Sequence, residues 1–285
     1  MDAFSLKKEV VLSNEEFTLL NNYIYEQTGI QFSESKMYLL NNRLNKRLME
    51  TGSATFKDYY YYLKYDNSGK EFTNLLNVIT TNETSFFRTD FQLDAFIGYI
   101  IPSIMEKKKK TGDRRILIWS AGCSTGEEPY TLAIMLMEKN IHLSYEIEIY
   151  ANDVSDKVLT VARSGLYNQL SLRNTPPVII QKYFNRVDAS TFQIKPDVKR
   201  MVKFQFGNLA RPNTLMLVKD RDVIFCRNVM IYFGNESRIN TVSMFYDKLV
   251  DQGYLMVGHS ETLHGISTAF KIVHYQKSIF YQKVK

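Results

Sequence analysis

Residues 116–130 read Ile-Leu-Ile-Trp-Ser-Ala-Gly-Cys-Ser-Thr-Gly-Glu-Glu-Pro-Tyr, and this stretch decides the fold. Its β-branched apolar run has the composition of a buried parallel strand. The run empties into a small-residue loop with Gly122 and Gly126, whose missing side chains let a ligand approach the backbone. Pro129 and the apolar-periodic stretch from Tyr130 to Leu136 then open a helix. Strand, glycine loop and helix in that order form the ligand-binding corner of a doubly wound α/β domain.

Charge narrows the ligand. A P-loop needs a Lys and a Ser or Thr after its last glycine, whereas Glu127 and Glu128 follow Gly126 here. Two carboxylates suit a helix N-terminus but repel a phosphate seeking the same place. The G-x-G-x-x-G dinucleotide spacing is also missing. A nucleoside without phosphates and with positive charge fits, and S-adenosylmethionine (AdoMet) has both an ammonium and a sulfonium. The competing reading is a glycine turn followed by ordinary first-turn acids. A second segment, Glu146 to Asp153, alternates like a strand and ends in an acid about one helix after the glycine loop. An acid at that strand end accepts hydrogen bonds from ribose hydroxyls in nucleotide-binding α/β folds, which makes Asp153 a candidate. Its alternative role is to cap the helix starting near Ser155-Asp156.

At 285 residues the chain can bury a sizeable core and hold two domains. Pro102 interrupts the longest apolar candidate for a membrane span, Phe96 to Met105. With Asp2 early and Lys7-Lys8 late, the N-terminus does not read as a signal peptide. Cys123 and Cys226 cannot build a disulfide framework, and a reduced, cytoplasmic protein is expected. The four histidines show no metal-ligand spacing with either cysteine, so no metal is expected. The net charge of +6 is uneven: residues 1–90 hold 10 Lys+Arg against 12 Asp+Glu, residues 91–285 hold 26 against 18. A basic second part points to an acidic partner, either nucleic acid or a carboxylate-rich protein. The run Lys107 to Lys110 reads as a solvated helix end.

Residues 1–75 read as an N-terminal helical domain. Ser13-Asn14-Glu15-Glu16 opens a helix with a capping-box pattern, and Thr28-Gly29 closes it. A second helix opens at Ser33 to Lys36 and runs through Leu48 to Gly52. At 100° per residue, Met37, Leu40, Leu44 and Leu48 fall on one side. Lys36, Arg43, Lys46 and Arg47 fall on an adjoining side, a basic face that is either solvated or docks on a partner. Tyr59 to Tyr62 and Tyr65 lie on a third helix and are expected to pack against the other two. Residues 76–90 form a connecting segment, and residues 91–285 the α/β domain. Further strands are predicted at 222–226, 253–259 and 278–281, the last antiparallel. Between Gly165 and Asn208 the α/β rhythm breaks around two alternating segments, 191–194 and 202–206; the first reads as an insert of short antiparallel strands, and a β-subdomain is expected at about 172–206.

Taken together, Thr-Asn-Glu-Thr-Ser-Phe-Phe-Arg (81–88), Ser-Thr-Gly-Glu-Glu-Pro-Tyr (124–130), Asn208-Leu209, Phe-Cys-Arg-Asn-Val-Met-Ile-Tyr-Phe (225–233) and Gly-His-Ser-Glu (258–261) resemble the chemotaxis receptor methyltransferases, the CheR family. The resemblance extends over nearly the whole chain. It implies an N-terminal helical domain followed by a Rossmann-like AdoMet-dependent methyltransferase domain bearing a small β-subdomain. It also implies transfer of a methyl group from AdoMet to glutamate side chains on the cytoplasmic helical bundle of chemoreceptors, leaving S-adenosylhomocysteine.

The resemblance further implies that Asn82, Thr84 and Arg88 close over the cofactor, that Glu127 holds the methionine ammonium, and that Asp153 holds the ribose. Asn208 and Leu209 would lie on the adenine side, with Arg227 and Asn228 beneath the methionine end. Arg88 and Tyr232 are the catalytic candidates facing the incoming carboxylate, and Arg43, Lys46 and Arg47 the receptor-binding ones. Cys123, and Asn152 before Asp153, depart from the usual pattern. The chemistry agrees independently: a glutamate with a solution pKa of about 4.3 is already an anionic nucleophile at neutral pH, so no general base is needed. Two rivals remain. A nucleic-acid amino-methyltransferase usually carries Asp/Asn-Pro-Pro-aromatic where this chain reads Arg227-Asn228-Val229-Met230. A catalytically idle AdoMet sensor would not need Arg88, Asp153 and Tyr232 intact. The expected protein is thus a monomer with a chemoreceptor partner, no nucleic acid and no membrane insertion.

Some family members grip a receptor C-terminal peptide by strand addition beside a glycine-containing loop. The corresponding loop here, Asn185 to Ser190, has no glycine and is about three residues shorter, which predicts direct recognition of the receptor bundle without a tether. The alternative is that an edge near Thr191 to Ile194 still accepts a strand.

Overall fold

The computed structural model describes residues 10–80 and 82–284; Asp2, Lys7 and Lys8 of the N-terminus and Thr81 of the 81–88 motif lie outside them. The chain divides into two compact units, one ending at residue 81 and the other beginning at Asn82.

In the first unit, local signals set the helix ends. Ser13 and Glu16 form a reciprocal capping box at the start of α1 (Asn14–Thr28), and Gly29 at φ 73° ends it. A short 3-10 turn over Glu34–Lys36 leads into α2 (Met37–Thr51), and Thr55 with Asp58 caps α3 (Phe56–Tyr65). The fourth helix, α4 (Lys70–Ile79), crosses the expected boundary at residue 75 because Leu75, Leu76 and Ile79 are all buried. Only part of the tyrosine cluster packs inward. Tyr59 is fully buried, whereas Tyr61, Tyr62 and Tyr65 are exposed.

The basic face of α2 also requires correction. Arg47 is buried, its Nε donating to Glu71 Oε1 at 2.8 Å and its Nη2 to Glu71 Oε2 at 2.6 Å, with Glu50 as a further partner. Tyr59 Oη donates to the same Glu71 at 2.7 Å, so α2, α3 and α4 share one polar knot. Arg47 therefore cannot dock a partner. Arg43 is half-buried and donates to the Ile79 carbonyl, closing the end of α4. Lys46 alone of the three stands exposed, opposite Glu50 at 3.8 Å.

The second unit opens with α5 (Asp90–Ala95), a π-helical turn over Phe96–Ile100, and α6 (Ile101–Thr111). The diagnostic run forms β1 (Arg115–Ala121), followed by α7 (Glu127–Glu138), β2 (Glu146–Asp153) and α8 (Asp156–Ser164). After β3 (Leu166–Asn168), α9 (Pro177–Tyr183), β4 (Phe184–Arg186), β5 (Thr191–Ile194) and α10 (Pro196–Lys199) come β6 (Val202–Phe206) and β7 (Arg221–Cys226). The unit finishes with α11 (Asn235–Lys248), β8 (Leu249–Val257), β9 (Phe270–Tyr275) and β10 (Ser278–Lys283). Seven strands form one sheet in the order β6-β2-β1-β7-β8-β10-β9, parallel except that β10 runs antiparallel to both its neighbours, β8 and β9. With β1 central, Ile116, Ile118 and Trp119 have no exposed surface.

The β-subdomain differs from its predicted limits of about 172–206. Val202–Phe206 pairs in parallel with Ile149–Asp153 and belongs to the main sheet, because alternation identifies a strand but not its neighbour. The small sheet begins earlier, at Leu166, and has the order β3-β5-β4. Thr191–Ile194 is consequently the central strand, paired on both sides, and not the edge offered as an alternative for a peptide. At the far end of the main sheet, Lys108 is not a solvated residue of the lysine run. It is buried between Asp113 at 2.9 Å and Asp222 at 3.0 Å, and Asp222 accepts the Leu117 amide of β1 at 2.8 Å.

Candidate active site

The glycine loop is held from β2. The Asn152 carbonyl accepts the amides of Gly122 and Cys123, both at 2.9 Å, so the loop folds back over the end of the neighbouring strand. The Asn152 side chain is buried, accepting Trp119 Nε1 at 2.7 Å and donating to the Gly207 carbonyl at 2.8 Å. This unusual Asn before Asp153 is thus a hub for three strand ends, a role the sequence did not reveal. The loop glycines are also required by the packing of the protein itself. A Cβ on Gly122, at φ 74°, would lie 2.5 Å from Val229 Cγ2; one on Gly126, at φ 93°, would lie 2.9 Å from Ala162 Cβ. Both close approaches are to the protein itself.

Glu127 and Glu128, equivalent as a sequence pair, part company here. Glu128 accepts Ser120 Oγ at 2.7 Å and pairs with Arg227 Nη1 at 3.1 Å. Glu127, the first residue of α7, is 2 % exposed, and hydroxyls alone are its side-chain hydrogen-bond partners: Thr125 Oγ1 at 2.6 Å and Ser171 Oγ at 3.0 Å. Burial pushes its carboxyl above the ordinary carboxylate range against those hydrogen bonds and the more distant charge of Arg173. Asp153 is also buried and likewise shifted upward by desolvation. It accepts backbone amides from Ser124 at 2.9 Å and Ser155 at 3.0 Å. Ser155, not Asp153, occupies the N-cap position of α8. Two buried acids beside the glycine loop without an ion pair among the described residues form a donor set that an ammonium and a ribose diol satisfy. This arrangement fits AdoMet.

Residues 82–89 run across the same loop. Ser124 Oγ donates to the Asn82 carbonyl at 3.4 Å, and the Phe87 amide to Thr131 Oγ1 at 3.2 Å. Phe86 is fully buried, edge-on to Tyr167 and Phe184 of the small sheet, with ring centroids 4.8 Å and 5.1 Å away. Arg173 reaches the Thr84 carbonyl at 3.4 Å and Glu83 at 3.5 Å. Arg88 is half-buried, donates to the Glu83 carbonyl at 3.1 Å, and lies between Phe87 at φ 53° and Thr89 at φ 62°. Arg227 fixes this backbone. Buried, it donates to the Arg88 carbonyl at 2.8 Å and to Gln92 Oε1 at 2.8 Å, besides its pair with Glu128. Its guanidinium therefore ties the covering segment to α7.

Next comes the turn from Arg227 to Tyr232, and here the structure gives a role to a residue that the sequence showed only as the end of a motif. Glu261 accepts the amides of Asn228 at 2.7 Å, Ile231 at 3.1 Å and Gly258 at 2.6 Å. Asn228 sits at φ 61°, and a Cβ on Gly258 would lie 2.6 Å from Glu261 Oε2, which explains the Gly-His-Ser-Glu spacing. Tyr232 is half-buried at the end of this turn. Asn208 is buried, its amide donating to Thr214 Oγ1 at 2.9 Å and its Oδ1 accepting the Ala210 amide at 2.9 Å; Leu209 is buried beside it. Among the described residues, Phe87, Thr89, Ser124 and Asn228 are non-glycine residues with positive φ in the loops of this site. Such conformations cost free energy that the surrounding bonds must offset.

A parallel sheet with a glycine loop, a strand-end acid and an unpaired helix-start carboxylate defines a class, the AdoMet-dependent methyltransferases. Residues 82–279 match the family described as CheR methyltransferase, SAM binding domain, and residues 15–80 match CheR methyltransferase, all-alpha domain. The chain is 36% identical over 276 residues to chemotaxis protein methyltransferase 2 of Vibrio cholerae, covering 96% of this chain and 95% of that protein. It is 38% identical over 256 residues to a chemotaxis protein methyltransferase of Borreliella burgdorferi, covering 89% and 90%. Among solved structures, magnesium protoporphyrin IX methyltransferase from Synechocystis with bound SAM aligns at TM-score 0.32 and 16% identity, covering 78% of this chain and 93% of that one, a likeness too slight to bear on the assignment. The chain belongs to the CheR methyltransferase family, and its cofactor is AdoMet.

Proposed function

We propose that this enzyme methylates glutamate side chains on the cytoplasmic helical bundle of chemoreceptors, acting in the cytoplasm as a monomer. The observation that carries the reading is the buried Glu127 carboxylate at the start of α7, held by two hydroxyls and paired with no cation among the described residues. Glu127 binds the methionine ammonium, Asp153 the ribose hydroxyls, and Asn208 with Leu209 flanks the adenine. Asn82 and Thr84 lie in the segment that covers the nucleoside, and Asn228 lies in the turn beneath the methionine end. Bound there, AdoMet supplies a methyl group on an electrophilic sulfonium.

The remaining task of the protein is alignment. A receptor glutamate is ionised at neutral pH, so the chain need not remove a proton. Arg88, on a backbone fixed by Arg227, orients the incoming carboxylate, and Tyr232 on the Glu261-held turn meets it from the other side. Placement of reacting groups by rigid elements accounts for large rate factors without covalent help. Arg227 acts through Arg88 and Glu128, since those contacts and Gln92 occupy its guanidinium. On α2 the receptor-docking role falls to Lys46, with Arg43 beside it. The β-subdomain, whose edge strands β3 and β4 are three residues each, does not require a tethering peptide.

Incubation with methyl-labelled AdoMet and receptor cytoplasmic fragments tests the substrate. Base-labile label released as methanol is expected, and label that resists base would sink the glutamate assignment. Saturable low-micromolar binding of a receptor C-terminal peptide would overturn the untethered reading.

A further inference from the structure

The loop after β3 carries a side chain that none of the foregoing assigns to the reaction. Ser171 is held on both sides: its amide donates to Asn168 Oδ1 at 3.0 Å, and its carbonyl accepts the Phe86 amide at 2.9 Å. With the backbone fixed, its hydroxyl donates to Glu127 Oε1 at 3.0 Å, while Thr125 serves Oε2 at 2.6 Å. Thr125 belongs to the glycine loop itself. Ser171 reaches the same carboxylate from the small sheet, together with Tyr167, whose hydroxyl donates to the Thr125 carbonyl at 2.7 Å.

We infer that Ser171 is a positioning residue for the amino-acid end of the cofactor, aiming the Glu127 carboxylate and holding it ionised. The inference rests on Glu127 as the ammonium acceptor and extends the site into the β-subdomain. A buried carboxylate accepts a cation only while charged, and hydroxyl donors favour that form. The groups acting on Glu127 are Thr125 of the glycine loop, its own backbone amide, and Ser171 and Arg173 of the loop after β3, while Cys123 and Tyr167 nearby are themselves raised by its charge. Burial raises its proton affinity, and the Ser171 hydroxyl is one of the bonds opposing that rise. Removing the hydroxyl leaves a more basic carboxyl, so protonation competes with the ammonium at higher pH.

The test is calorimetric binding of two ligands to the full chain across the mildly acidic to neutral range. S-adenosylhomocysteine carries the amino-acid end; 5′-methylthioadenosine keeps the nucleoside and thioether but lacks it. Ser171→Ala is expected to weaken S-adenosylhomocysteine by about tenfold at neutral pH and 5′-methylthioadenosine by less than about twofold. The acid limb of S-adenosylhomocysteine binding should move to higher pH, and Ser171→Thr should restore both readouts. Equal losses for the two ligands would overturn the inference, showing that Ser171 only holds the covering segment. Unchanged binding in Ser171→Ala, with S-adenosylhomocysteine affinity lost in Glu127→Gln, would overturn it while leaving Glu127 in place. If Glu127→Gln also left the ratio of the two affinities unchanged, the Glu127 assignment itself would fall.

Discussion

Glu71 of the helical unit and Glu127 of the α/β unit are both buried, 4 % and 2 % exposed, yet they are satisfied on different terms. Glu71 receives a two-pronged guanidinium from Arg47 and a hydroxyl from Tyr59, so its charge is neutralised within the fold. Glu127 receives hydroxyls and its own backbone amide, and no ion pair among the described residues. The same contrast recurs inside the α/β unit, where Lys108 neutralises Asp222 at one end of the sheet and Asp153 at the other has backbone amides and no ion pair among the described residues. A buried acid matched by a cation of its own chain serves folding. One left with neutral donors costs free energy until a ligand's cation or hydroxyls arrive from outside.

The largest effect should come from breaking a matched pair. Arg47→Ala leaves Glu71 buried without its cation and is expected to cost about 3–5 kcal/mol in denaturant unfolding. A loss below about 1 kcal/mol would place Arg47 with ordinary surface pairs and blunt the contrast. Next, Asp153→Ala should weaken AdoMet binding by about 2–4 kcal/mol in calorimetry, through loss of charge-assisted hydrogen bonds. Unchanged affinity would leave Asp153 as a clasp between the Ser124 and Ser155 amides. Arg88→Ala should lower methyl transfer by more than about tenfold with little change in melting temperature, and a wild-type rate would remove Arg88 from the site.

Glu127→Gln offers a sharper test, because it should harm binding while helping the fold. Burial holds the folded carboxyl above its unfolded value, so the folded state takes up a proton more readily. The resulting stability cost is absent below the unfolded pKa of about 4.3 and grows as pH rises through the folded value. At neutral pH the ligand-free variant should therefore unfold at the same or a higher temperature than the wild type; clear destabilisation would mean that Glu127 is structural after all. The smallest effect belongs to Lys46→Glu. It should raise the receptor KM by a factor of about two to five without altering AdoMet affinity. An unchanged receptor KM would remove α2 from the docking surface.

Signals confined to one turn were legible in the sequence. The Ser13–Glu16 capping box, the strand from Ile116 and the acid ending β2 each depend on neighbours a few residues away. Arg47 was not legible, since it lies at the border between the leucine face and the basic face of α2. Its partner Glu71 is 24 residues further on. The packing role of the loop glycines was hidden for a related reason: the atoms crowding Gly122 and Gly126 belong to Val229, Ala162 and other distant residues. The same holds for β6, whose alternation was visible while its pairing with β2 was not. Spacing placed Glu127 and Glu128 at the helix start, and only the family resemblance told them apart, because Ser171 and Arg227 reach them from remote segments.

The grip of Glu261 on the amides of Asn228 and Ile231 spans 33 and 30 residues of chain. Synthesis runs from the N-terminus, so the glycine loop, β2 and β7 all emerge before the carboxylate that sets this turn. Glu127 and Asp153, the two acids proposed to hold AdoMet, are therefore made well before the residue that anchors the Asn228–Tyr232 turn. A chain ending before Gly258 would thus contain both of those acids, but its Tyr232 turn would lack the Glu261 anchor.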